Sequence, residues 1–270
     1  MTAVLDFAML DGMAFAAERG RLSGRAPDLV AHDLGPVVEL DQLAAAGLLP
    51  SPERAEWLRL DGLGVLYREI ASGRANWVCP DGRRIGFLRT TATVPSDERA
   101  WTAFGLAAQQ AAVASGFSAR IASQLAAAIG EMHSNIYEHS GASATGLVAF
   151  RVGANRFEFV AADRGIGVLE SLRSCSDYSG MNDHAEALRL TLTDGVSRHG
   201  ANIGRGRGFR PLFIGLANLN GSLRFRSGDH ALVIDGSNAS LMTARTAQKP
   251  YLNGFLISVA CDNANVPRRS

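Results

Sequence analysis

Proline placement is the strongest constraint on this chain. Of nine prolines, Pro27, Pro36, Pro50, Pro52, Pro80 and Pro95 precede residue 96, and the next is Pro211. A proline in a helix interior removes a hydrogen bond and clashes with the preceding turn. Long helices are therefore expected only after Pro95, and the earlier part is expected in short pieces. Residues 1–82 read as a small N-terminal region. It carries a helix over Pro52–Ser72 and a hairpin-like turn at Cys79-Pro80-Asp81-Gly82. Residues 83–262 read as the main domain, followed by a disordered tail at 263–270.

From residue 84 the punctuation becomes regular. RIGFLRTTATV suggests a strand closed by Pro95, and Ser96-Asp97-Glu98 resembles a helix cap with acids in the first turn. The helix should stop at Gly116. Ser118 can cap a second helix that runs to about Ser140 and ends at Gly141. Strands follow at Thr145–Val152 and Arg156–Ala162, then a helix at Asn182–Thr193. A glycine-rich stretch precedes a helix at about Phe209–Leu219. Ser222–Arg226, Ala231–Asp235 and Gly254–Ala260 read as strands.

Composition removes several function classes. With 47% hydrophobic and 20% charged residues, 270 residues can bury one large core or two small ones. A net charge of +1 gives no reason to expect nucleic acid or an anionic membrane as partner. No run of about 18 apolar residues occurs, and MTAVLDFAML lacks a basic n-region, so the expected location is the cytoplasm. Lys249 is the only lysine among 27 basic residues. That excludes a Walker A loop and the protein-kinase lysine. Cys79, Cys175 and Cys261 have no metal-ligand spacing and imply no disulfide framework.

Three local patterns can carry chemistry. On the second helix, Ile121, Leu125, Ile129, Met132 and Ile136 make one apolar stripe, and Glu131, Asn135 and His139 line up on a different face. Next, the apolar run RFEFVAA delivers Asp163-Arg164-Gly165-Ile166-Gly167. Here an aspartate can accept from an exocyclic amine while glycines admit a flat ring. Third, Gly204-Arg205-Gly206-Arg207-Gly208 can form a nest of amides for phosphate, with guanidiniums adding bidentate contacts. Each has an ordinary reading beside it: a solvated helix face, a strand-end turn, a flexible linker.

In this order and separation, EMHSNIYEHS, DRGIG and GRGRGF resemble the N, G1 and G2 boxes of the GHKL ATPases, and most of all the stand-alone anti-sigma-factor serine kinases. The resemblance covers about residues 84–260. It implies a two-layer α/β sandwich of the Bergerat type, with a mixed, mostly antiparallel sheet and helices on one face. It implies Mg·ATP as ligand, Glu131 as general base and Asn135 as magnesium ligand. Asp163 would read adenine, with Gly165 and Gly167 as the ring floor. Gly204, Gly206 and Gly208 would cover the phosphates, and Arg205 and Arg207 are added from their charge and position. Many members carry a Thr near the last strand, where this chain reads Leu252-Asn253-Gly254-Phe255. Arg164 stands where a small or polar residue is common.

His32, in Ala31-His32-Asp33-Leu34-Gly35-Pro36, is not read as a phosphoacceptor. The prolines that follow forbid the helical hairpin such a histidine needs. The expected function is an ATP-dependent serine/threonine kinase acting on a regulatory protein partner. The alternatives are a nucleotide-gated interaction module with little turnover, and a slow ATPase. A homodimer is also compatible with the sequence.

Overall fold

The computed structural model describes residues 2–21, 28–81, 84–92, 98–192, 221–234 and 244–263. The glycine-rich stretch with Gly204, Arg205, Gly206, Arg207 and Gly208, and the helix expected after it, lie outside them.

The N-terminal region alternates strand and helix. Strands β1 (Ala3–Val4), β2 (Leu29–Ala31) and β3 (Leu58–Leu60) form a parallel sheet in that order. They are linked by α1 (Phe7–Glu18) and α2 (Leu34–Ala45), and α3 (Gly64–Ala71) follows. Asp6 caps α1 by accepting from the Met9 N–H at 2.8 Å. Pro36 sits in the first turn of α2, where an amide hydrogen has no helical partner to lose, so it does not break the helix. The helix expected over Pro52–Ser72 is not what forms. Leu58–Leu60 pairs with β2 instead, and only Gly64–Ala71 is helical, after a turn with Gly62 at φ +70°. Tertiary pairing overrides local propensity there.

The larger sheet is antiparallel throughout, in the order β4-β5-β6-β7-β9-β8. Its strands are β4 (Asn76–Val78), β5 (Ile85–Arg89), β6 (Leu147–Gly153), β7 (Arg156–Asp163), β8 (Ser222–Ile234) and β9 (Arg245–Asp262). The turn at Cys79 links β4 and β5 as a hairpin, with the Cys79 N–H donating to Ile85 O. Strand β8 runs unbroken where two short strands were expected, and the irregular pairing at Ser227 and Gly228 absorbs the interruption.

Helices α4 (Glu98–Ala114) and α5 (Ala119–His139) cover one face. Their ends fall at the expected punctuation. Gly116 and Gly141 take φ +97° and +66°, and the Ser118 hydroxyl accepts from the Ile121 N–H. Ala107, Ala108, Ala111 and Ala112 of α4 and Leu125, Ile129, Met132 and Ile136 of α5 pack on Phe150, Phe157, Phe159 and Ile257.

The opposite face is not open either, because helices of the N-terminal region cover it. Alternate residues of the same strands, Phe87, Ala149, Val160, Ala162 and Leu256, pack with Leu10 of α1 and with Leu34, Val38 and Leu43 of α2. A sheet buried on both faces needs apolar residues at successive positions. That accounts for the run Phe159-Val160-Ala161-Ala162. The molecule is thus an α/β protein with two helical layers against one antiparallel sheet. Among the described residues, no helix is long and apolar enough to cross a membrane.

Candidate functional site

Strand β7 ends in the most unusual polar group of the described chain. Asp163 is 1% exposed. Its Oδ1 accepts from the Gly165 N–H at 2.8 Å, while its buried Oδ2 has no hydrogen-bond partner among the described residues. Burial pushes the carboxyl up to about 7, against the opposing pull of the Gly165 and Phe255 amides. A buried acceptor left unmade costs about 1–3 kcal/mol, so such a group calls for an explanation.

The turn after Asp163 is built to pass close to other backbone. A Cβ on Gly165 would run into the carbonyl of Ser140 at the end of α5. Gly167 has φ +78°, and a Cβ there would lie 2.8 Å from Ser227 Oγ. The Ile166 N–H donates to Ser140 O at 2.8 Å, which locks the turn to the C-terminal end of α5. Ile166 itself stays exposed. Helix α6 (Gly167–Arg173) begins at once, where only a turn was expected.

Helix α5 supplies the other predicted residues. Glu131 is exposed and Asn135 half-buried, with Asn135 Nδ2 4.0 Å from Met132 Sδ. Further along the same face, His139 Nδ1 lies 3.3 Å from the Ser171 hydroxyl of α6. The Glu131–Asn135–His139 stripe therefore runs along α5 towards the helix that starts at Gly167. Asn135 lies five residues before Ser140, about 7.5 Å of helix rise from the turn that holds Asp163. Asp163, Gly165 and Gly167 thus meet the C-terminal end of α5, while Glu131 lies about 13.5 Å of helix rise back from Ser140. His133, given no role from sequence, stacks on Trp101 with centroids 4.3 Å apart, and burial lowers its imidazole to about 4.

Three features of the site were not read from sequence. Ser227, on β8, donates to Gly254 O at 2.7 Å and accepts from the Val168 N–H at 3.0 Å. A hydroxyl therefore stands beside Gly254, in the stretch where no Thr was found. Arg164 pairs with Asp41 of α2 at 2.6 Å. Gln42 of α2 donates through Nε2 to Asp163 O at 2.7 Å and to Phe255 O at 3.0 Å. Ser227 carried a faint signal, a serine before glycine in a strand pattern. Gln42 carried none, because its partners lie 121 and 213 residues away.

Among the described residues no group of three or more His, Cys, Asp and Glu could hold a metal. A divalent ion at Asn135 would have to take its remaining ligands from water and phosphate oxygens, which is ordinary for magnesium. An adenine amine fits the cradle chemically. It is a donor for the unpartnered Asp163 oxygen, and the glycines beside it let the backbone of Ser140 and Gly254 come close. The Glu39–Arg224–Arg226 cluster between α2 and β8 is also buried, but its charges are paired internally and it offers no free acceptor. No protein-family model, curated protein or solved structure matches the chain.

Proposed function

We propose that this protein is an Mg·ATP-binding regulator of the GHKL kind that phosphorylates a serine or threonine of a protein partner. The observation that carries the reading is Asp163, a buried carboxylate at a strand end with one oxygen unpartnered, set among glycines with no room for a Cβ. An adenine N6 amine would complete it. Guanine offers a carbonyl at that place and would face acceptor with acceptor, so ATP is favoured over GTP.

Asn135 would hold the magnesium ion, whose contribution is to neutralise phosphate charge. Glu131 would receive the proton of an acceptor hydroxyl. The hydroxyl oxygen bonds to the γ-phosphorus, the bond to the β–γ bridging oxygen breaks, and ADP leaves. One observation favours the nucleotide-gated module as a second reading. Asp41 and Gln42 tie the turn to α2, so occupancy of the site would be felt in the N-terminal region.

Calorimetric titration of Mg·ATP and Mg·GTP into the wild type and Asp163→Asn tests the binding. ATP should bind, GTP should bind at least tenfold more weakly, and the variant should lose most of the ATP affinity. No ATP binding to folded wild type would sink the proposal. ADP release then separates the two readings. If it falls by roughly 10²–10⁴ in Glu131→Gln with ATP binding retained, Glu131 is the base. Negligible release from the wild type would favour the gated module.

A further inference from the structure

We infer that Gln42 is a positioning residue for the nucleobase site: from α2, its side-chain amide fixes the strand end that presents Asp163, so the N-terminal region sets the base selectivity. The inference rests on the reading of Asp163 given above.

Residues Asp163 and Phe255 are directly paired, the last such pair between β7 and β9 before the glycine turn. Gln42 Nε2 reaches both carbonyls of that pair. The two carbonyls also settle which end of the amide faces them, since only the nitrogen can donate. Both donors are thereby used, and Gln42 Oε1 stays buried without a partner among the described residues. A methionine would fill the same space but would take the donor away from both carbonyls, so the amide serves the strand end and not the packing alone.

The rest of α2 is seated so that this reach is fixed. A Cβ on Gly35 would collide with Ser258 of β9, so helix and strand touch at that point. The Leu34 N–H donates to Glu158 Oε2 at 2.9 Å, and Glu39 is held by Arg224 and Arg226. Behind Asp163 stands Gln42. Beside it stands Gly254 at φ +74°, whose carbonyl is held by Ser227. The strand end that carries the carboxylate is therefore held directly from α2, by Gln42 on the Asp163 carbonyl, and from β8 through the neighbouring Gly254.

Such a residue should act on base discrimination and not on phosphate binding. In the full-length chain, Gln42→Met should weaken Mg·ATP binding roughly fivefold to tenfold and leave Mg·GTP nearly unchanged, so the ATP:GTP ratio narrows. A purely structural role would lower the unfolding midpoint and leave that ratio alone. A wild-type ratio in Gln42→Met, with Asp163→Asn losing ATP, overturns the inference and spares the function. Wild type that fails to bind ATP overturns both. Should Gln42→Met not fold, hydrogen exchange of the wild type decides. Coupling is reciprocal, so Mg·ATP must protect amides in residues 34–45 along with those in 159–167. Protection confined to the second segment overturns the inference.

Discussion

Two buried carboxylates on either side of the same sheet are treated in opposite ways. Glu39 is fully buried under α1 and α2. Burial alone would raise its carboxyl, but Arg224 and Arg226 outweigh it and hold the group below its ordinary value. Arg224 is itself held by Asp11 at 2.6 Å, and Lys249, the only lysine, also pairs with Asp11. Asp163 is equally buried and has no paired cation among the described residues, and burial raises its carboxyl to about 7. The first carboxylate is finished by the fold. The second is held by backbone amides on one oxygen and left open on the other. A closed charge cluster holds layers together, while an open one marks a place where something else belongs.

Substitution at each site should separate these roles. The largest effect is expected from Glu39→Ala, which leaves the buried Arg226 without its carboxylate and Arg224 with Asp11 alone. It should destabilise by about 3–5 kcal/mol in urea unfolding. If the loss were under 1 kcal/mol, the cluster would not be the tie between the layers.

Asp163→Asn should do the reverse in alkaline solution. With a folded-state value near 7 and an ordinary value of 3.8, the native state keeps a proton that the unfolded state has lost between those pH values. Wild-type stability therefore falls as pH rises from about 4 to 7 through this group. The asparagine variant lacks that decline. Above pH 7 it should melt higher than wild type, by roughly 2–4 °C for each kcal/mol recovered, while binding ATP worse. A variant that melts lower at pH 8 than wild type would show that the carboxylate is structural. The smallest effect belongs to Arg164→Ala. The Arg164–Asp41 pair is partly exposed, so unfolding should shift by less than about 1 kcal/mol. A larger shift would make this pair, and not Gln42, the main link from α2 to the turn.

The sequence was legible where local chemistry sets the structure. Gly116, Ser118 and Gly141 bound α4 and α5 because a left-handed backbone or a capping hydroxyl is needed at those points. The apolar run before Asp163 marked a strand, and its uninterrupted character reflects burial on both faces. The parallel N-terminal sheet was hidden because its strands are two or three residues long, too short for any period to show. Helix α2 is buried nearly all round, so it has no polar face to reveal it. Gln42 and Ser227 meet the site only through tertiary packing, and no local pattern encodes such a meeting.

The seating of α2 also governs the order in which the molecule can be completed. Glu39 waits for Arg224 across 185 residues and Gln42 for Phe255 across 213. During synthesis α2 leaves the ribosome long before the strands that satisfy its buried polar groups. Contacts of such sequence separation slow folding and leave apolar surface open in the meantime. An unfinished chain therefore has no partner for Glu39 and no second carbonyl for Gln42, so neither buried carboxylate has its final surroundings until β8 and β9 are in place.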